Sequence, residues 1–192
     1  LAKVAWGGTV AARLCVFDRL WHAGSVSMTS LATTTFSSQP SYLGRTTDGA
    51  GVGVEIWLEI NAAVSATATT IAVGYTNSDG TSGHTTGATP SLSGYATRRL
   101  YQLPLQAGDR GVQKIDSVTV GGTVATTGTF NVIAARTLFD QARVRVANDA
   151  SMVGWDQTLL PPVFEDSALW LTTAADSTAS GLPDVTLTIV NG

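Results

Sequence analysis

A strict alternation of apolar and polar residues over residues 52–60 constrains the fold more than any other feature of the sequence. Every second position is apolar, and these positions carry Val54, Ile56, Leu58 and Ile60. Glu55, Trp57 and Glu59 stand between them. Successive side chains of a β-strand point to opposite faces of its sheet. The pattern therefore predicts a strand that packs four apolar side chains into a core and turns both carboxylates outward.

Similar short segments recur along the chain and are separated by turn residues. Strands are predicted over residues 69–76, 99–103, 112–120, 129–136, 168–173 and 185–190, with one or two more within 12–20 and 26–36. Asn77 to Gly80 is a turn signal, and Gly121-Gly122 is a predicted hairpin turn. Eight to ten strands with a turn about every ten residues are typical of a β-sandwich or jelly roll.

The composition supports an all-β fold. The chain has two lysines, at Lys3 and Lys114, and three glutamates, so it lacks the residues that build surface helices. Only 13% of its 192 residues are charged, about half of the roughly 25% that is usual. Such a surface suggests extensive contact with other protein subunits. The length fits one domain on a prior of roughly 150 residues per domain.

The N-terminal segment is expected to be an arm over residues 1–10, followed by a single β-sandwich domain over residues 11–192. Val4 and Trp6 precede Gly7-Gly8 in a terminal apolar segment that has nothing local to pack against. We therefore expect both residues to contact a neighbouring subunit. A frayed end, or an edge strand of the domain's own sheet, is the alternative.

Several functional classes do not fit the sequence. The net charge of −3 argues against a nucleic-acid partner, which requires a basic surface. No run of about 18 apolar residues predicts a membrane helix, and no signal peptide is recognisable. Cys15 is the only cysteine, so an intrachain disulfide is impossible. It lies in an apolar run, and we expect a buried packing residue.

No arrangement of residues predicts catalysis, a metal site or a cofactor. The chain has two histidines, His22 and His84, and no Gly-x-Ser-x-Gly motif. Its histidines and cysteine lack the spacing of a zinc site. Glu55 and Glu59 lie about 13 Å apart along one strand, whereas glycosidase carboxylates lie within roughly 5 to 9.5 Å. We expect that the protein is not an enzyme, although Trp57 between the two glutamates makes a carbohydrate-binding face conceivable.

The segment over residues 147–166 departs from the strand pattern. Asn148-Asp149 and Pro161-Pro162 mark a long irregular excursion, with a helical turn expected near residues 155–160. Long loops in compact domains often form interfaces. Trp155, like Trp57, is therefore a candidate subunit-contact residue.

Five segments in combination resemble a family of structural proteins from tailed bacteriophages. They are DRLWH at residues 18–22, EIWLE at 55–59, GYTN at 74–77, LQAGD followed by GV within 105–112, and PPVFED at 161–166. The resemblance extends over about residues 12–190. It implies a virion component, assembled in the cytoplasm of the bacterial host, and carries no catalytic residues. Phage head decoration (cement) proteins are often jelly-roll-like trimers.

The function expected from these observations is that of a capsid decoration protein, which holds shell subunits together through buried contacts. Its partners would be the major capsid protein or other virion proteins and further copies of itself, with a trimer favoured. The candidate contact residues are Val4, Trp6, Trp57 and Trp155. A neck, tail or baseplate protein, or a carbohydrate-binding module for host attachment, remains open.

Overall fold

The protein is all-β, as the sequence predicts. The computed structural model describes residues 1–154, 156, 160–175 and 182–190. Over these residues the strands are β1 Lys3–Gly8, β2 Ala12–Ser27, β3 Thr33–Thr35, β4 Val54–Ala62, β5 Thr69–Asn77, β6 His84–Thr85, β7 Leu100–Leu103, β8 Val112–Gly122, β9 Thr129–Val144, β10 Asp149–Gly154, β11 Leu169–Ala175 and β12 Pro183–Thr188. A 3₁₀ turn occupies Leu43–Arg45. Within the described ranges no helix is long and apolar enough to cross a membrane.

The chain divides into two compact units, each with its own core. Unit 1 comprises Leu1–Asp18 and Thr137–Gly192, and unit 2 comprises Arg19–Arg136. This division differs from the expected arm over residues 1–10 and single domain over residues 11–192. Both boundaries fall inside long strands, β2 and β9, where no Gly-rich or Pro-rich linker marks them. The sequence therefore carries no signal for the boundary between the two units.

Unit 2 is a sandwich of two antiparallel sheets around one apolar core. One sheet has the order β3-β8-β5-β6, and in the other β4 lies between β9 and β7. The predicted inward residues of β4 are all buried: Val54, Ile56, Leu58 and Ile60. Ile71, Val73 and Tyr75 of β5 pack against the same core. The period-two prediction is confirmed for both strands, because one face of each strand is covered by the opposing sheet.

Strand β8 departs from the predicted alternation at Asp116. The register of β8 against β5 shifts by one residue here, which is a β-bulge. The bulge turns Ile115 toward the core in place of Asp116. The Asp116 carboxylate instead accepts a hydrogen bond from the Thr76 hydroxyl at 2.9 Å and lies 3.0 Å from the Lys114 ammonium. The alternation of apolar residues in the sequence does not reveal this bulge, because the bulge is defined by the pairing with β5.

The hairpin predicted at Gly121-Gly122 is wrong. Both glycines belong to β8 and pair with Thr70 and Thr69 of β5, whereas the next strand, β9, lies in the other sheet. Gly122 has a φ of +73°, and a Cβ at this position would collide with the carbonyl oxygen of Ala68. The glycine pair therefore permits a close backbone approach rather than a reversal of the chain.

Unit 1 contains a three-stranded antiparallel sheet of order β10-β1-β12. The inward side chains of β1, Val4 and Trp6, pack with apolar residues of β2 and β9. Strand β1 is the middle strand of this sheet, paired with β10 on one side and β12 on the other. The segment predicted as an arm is therefore part of the chain's own fold. Strand β10 lies in the excursion over residues 147–166 that was expected to be irregular.

Candidate functional site

The four residues predicted to contact other subunits lie in different environments. Val4 and Trp6 are 0% and 3% exposed inside unit 1, where they face Leu14 and Val16 within one apolar cluster. They are not available to a partner, which corrects the expectation for both. Trp57 is half-buried on the outer face of β4. Trp155 and most of the expected helical turn around it lie outside the described residues.

The outer face of β4 presents a hydrogen-bonded row of polar side chains. The indole N–H of Trp57 donates to Oε2 of Glu55 at 2.8 Å. Farther along the strand, the Asn131 amide of β9 donates to Oε2 of Glu59 at 2.9 Å. Both glutamates point outward, as the alternation predicts, and each carboxylate is already engaged. The arrangement holds the ring of Trp57 in place and separates the two acids.

A shallow groove of about 460 Å³ begins beside Glu55. One wall is the start of β4, and the other is the connection after β7, which contributes Gln106, Asp109 and Arg110. An isolated bridge between Val52 and Gly111 holds the two walls together. The groove is lined by carboxylate, amide and guanidinium groups, which can hydrogen-bond a polar ligand.

Asp109 lies at the centre of a polar cluster in unit 2 that the sequence did not reveal as a site. Its Oδ2 accepts a hydrogen bond from the Tyr75 hydroxyl at 2.6 Å and lies 2.8 Å from Nδ1 of His84. Its Oδ1 accepts one from the Asn77 amide at 2.9 Å. A carboxylate can only accept, so Nδ1 of His84 carries the proton. The Tyr75 oxygen in turn accepts the backbone N–H of Gln106 at 2.7 Å.

The cluster shifts the ionisation of two of its members. The hydrogen bonds from Tyr75 and Asn77, followed by His84, lower the pKa of Asp109 below its ordinary value. Burial, together with the adjacent Asp109 carboxylate, raises the pKa of Tyr75 to about 12. Both shifts favour an ionised acid beside a neutral phenol. Every polar atom named here is hydrogen-bonded within the cluster. These bonds hold β5, β6 and the connection over residues 104–111 together.

A second buried carboxylate fastens unit 1. Asp18 is fully buried, and it accepts hydrogen bonds from the Ser167 hydroxyl at 2.7 Å and the Ala168 N–H at 3.1 Å. Ser167 also closes a turn with Phe164 through two further bonds. Asp18 belongs to the DRLWH segment, and the turn from Phe164 to Ser167 contains the end of PPVFED. Likewise, the Asp109 cluster joins GYTN to LQAGD. Four of the five segments therefore contribute residues to these two contacts.

The exposed apolar side chains are unevenly distributed. Of the nine large apolar residues that are exposed in the described ranges, six belong to unit 1. They are Val146, Met152, Leu171, Leu182, Ile189 and Val190. Met152 is 62% exposed and lies on the outer face of β10, beside a groove of about 310 Å³ that Ala5 and Gly7 help to line. Unit 1 therefore carries most of the exposed large apolar side chains of the described ranges.

The structure gives the environment of Cys15 and of the metal-ligating residue types in the described ranges. Cys15 is buried, as predicted, and burial is the main cause that raises the pKa of its thiol. Within the part of the chain that the structure describes, no group of three or more His, Cys, Asp or Glu side chains could hold a metal ion.

Comparison with known proteins gave no match. No protein-family model, no characterised protein and no solved structure is significantly similar to this chain.

Proposed function

We propose that this protein is a structural component of a bacteriophage virion, and specifically a capsid decoration protein that binds the head shell. The observation that carries the proposal is the concentration of exposed apolar residues in unit 1. The low charge of the chain and the resemblance of its five motifs to tailed-phage structural proteins support the same role. Its buried carboxylates bond within their own units, which fits a mechanical task rather than a chemical one.

In this role, unit 1 provides the adhesive surface. Burial of apolar area drives association, and specific interfaces bury roughly 1,600 Å² in total. Met152 is the most direct candidate for a contact residue, because it stands exposed beside a groove formed by small residues. Several contacts made together by an oligomer strengthen attachment through multivalency. The partner is the major capsid protein or another virion protein.

Re-addition of purified protein to heads that lack it tests this role. Wild-type protein is expected to saturate the heads, with hundreds of copies per particle measured by sedimentation and gel densitometry. Met152→Glu should bind about tenfold more weakly or worse, since a buried Met side chain contributes about 1.5–3 kcal/mol and about 1.4 kcal/mol corresponds to a factor of ten. Val124→Glu, at an exposed apolar residue of unit 2, is the matched control. Failure of the wild-type protein to bind would overturn the proposal.

Copy number separates the head from the other virion positions. A map with six or twelve copies on the particle axis would indicate a neck, tail or baseplate protein instead. This alternative uses the same fold and the same surface of unit 1.

A carbohydrate-binding role in host attachment is the second candidate. The groove beside Glu55, lined by carboxylate, amide and guanidinium groups, favours it. In this reading Trp57, which does not line the groove but donates a hydrogen bond to Glu55 at its edge, contributes its ring, and Gln106 and Arg110 contribute hydrogen bonds to the sugar. A glycan array that compares wild-type protein with Trp57→Ala tests it. Binding that is lost with Trp57 supports the role, and an array without signal rejects it.

A further inference from the structure

Among the residues that the structure describes, β11 is an edge strand without the features that usually protect sheet edges. It forms one end of a five-stranded sheet of order β11-β2-β9-β4-β7 and is paired with β2 along its whole length. Its sequence, LWLTTAA, contains no charged residue and no proline. Natural edge strands are commonly shielded by lysine, proline, a bulge or a short length. A seven-residue uncharged edge strand is a template for another strand.

The exposed side chains of β11 are uncharged as well. Leu171 is 42% exposed, although Leu169 on the same face packs against the core of unit 1. A strand added beside β11 would cover Leu171 and extend that apolar layer. Strand β12, one of the two edges of the three-stranded sheet in unit 1, provides a contrast, because it begins with Pro183 and Asp184. Its outward Thr186 and Thr188 are polar.

Two antiparallel copies of β11 can place the large side chains of one copy opposite the small side chains of the other. Its first half carries Trp170 and Leu171, and its second half carries Thr173 and Ala174. In an antiparallel pair centred on Thr172, Trp170 lies opposite Ala174 and Leu171 lies opposite Thr173. Each large side chain therefore meets a small one on the same face, and Thr172 meets its own copy. Cross-strand pairs of this kind determine the register of an antiparallel ladder.

We infer that β11 pairs with β11 of a second copy of this chain, antiparallel and centred on Thr172, to form a twofold dimer. The contact is isologous, because the same surface serves both subunits. Main-chain hydrogen bonds provide affinity, and the alternation of large and small side chains provides specificity. The inference does not rest on the virion role, since it follows from the strand itself.

Cysteine cross-linking tests the register. In a Cys15→Ala background, Thr172→Cys should form an intermolecular disulfide readily, because directly opposite residues have Cα atoms about 4.5–5.5 Å apart and disulfides require about 4.4–6.8 Å. Removal of Cys15 is needed, since Thr172 pairs with it across β2. Thr173→Cys in the same background should cross-link poorly with itself. Equal cross-linking of the two variants would overturn the register.

Sedimentation equilibrium tests the dimer itself. Wild-type protein should dimerise, and Thr173→Lys should weaken association by roughly tenfold or more, since it places a charge inside the ladder. Thr186→Lys adds the same charge to the exposed edge strand β12 and is the matched control. Circular dichroism verifies that each variant is folded, and the disulfide experiment decides the matter if Thr173→Lys does not fold. A wild-type monomer at about millimolar concentration, or a dimer that is insensitive to Thr173→Lys, would overturn the inference. Either result leaves the head-binding proposal to its own test.

Discussion

The fully buried carboxylate of Asp18 accepts a hydrogen bond from the hydroxyl of Ser167 at 2.7 Å, although the two residues are 149 positions apart. The same carboxylate also accepts the backbone N–H of Ala168. A buried charge is tolerated only where it is fully hydrogen-bonded. Movement of the turn that contains Ser167 would therefore remove two hydrogen bonds from a buried carboxylate.

Ser167→Ala should lower the free energy of unfolding by about 1.5–3 kcal/mol, the usual worth of a hydrogen bond to a charged group. Urea unfolding monitored by circular dichroism measures the change. Ser30→Ala, at an exposed serine, should change it by less than about 0.5 kcal/mol. Equal effects from the two substitutions would show that the Asp18–Ser167 bond adds nothing to stability.

Trp6→Ala should cost about 3–5 kcal/mol, because it removes a large side chain from the core of unit 1. Deletion of residues 1–8 should go further and remove the middle strand of the β10-β1-β12 sheet. Hydrogen exchange is then expected to show loss of amide protection in β10 and β12. Retained protection in the truncated chain would instead support the arm that the sequence suggested.

Asp109→Asn should destabilise the protein near neutral pH, and its deficit should shrink on acidification. The pKa of Asp109 is lower in the folded chain than its ordinary value of 3.8. The stabilisation is therefore fully present above the unfolded-state pKa and is lost as the pH falls through the folded-state pKa. Unfolding free energies between about pH 5 and pH 2 measure this. A difference between the two proteins that stays constant over this range would contradict the role of the carboxylate; Asp184→Asn, at an exposed position, is the control.

Cys15 should react slowly with a thiol reagent in the native protein. Burial raises the pKa of its thiol, and the thiolate is the reactive form. We expect a native rate on the order of a hundredfold or more below the rate in denaturant. Ser30→Cys in a Cys15→Ala background provides an exposed thiol for comparison. Similar native rates for the two thiols would show that Cys15 is accessible.

The local patterns predicted much of unit 2. Val54 to Ile60 alternate in the sequence and in the structure, because a strand with one buried face obeys a period of two. The bulge at Asp116 and the close approach at Gly122 were missed for the same reason in each case. Both depend on a neighbouring strand that is distant in sequence, and neither changes the local composition.

The sequence predicted strands β11 and β12 of unit 1 but not the roles of β1 and β10, because these elements meet only in three dimensions. The cluster that buries Trp6 is built from residues of β2 and β9, and the sequence around Trp6 does not reveal these partners. The Asp109 cluster was missed in a related way. Tyr75, His84 and Asp109 belong to three separate segments, and a lone polar residue in a turn gives no signal of its partners. Two of the three do lie within motifs that were singled out, and this was the available clue.

The pairing of β1 with β12 has a consequence for synthesis on the ribosome. Thr9, just after β1, accepts a hydrogen bond from Leu182 just before β12, and the two are 173 residues apart. At a translation rate of about 5–20 residues per second, β1 is synthesised roughly 10 to 35 seconds before this partner. The contiguous chain of unit 2 emerges in the interval and can fold first. During that time Val4 and Trp6 are exposed on the nascent chain, so the yield of folded protein should depend on chaperones that cover them.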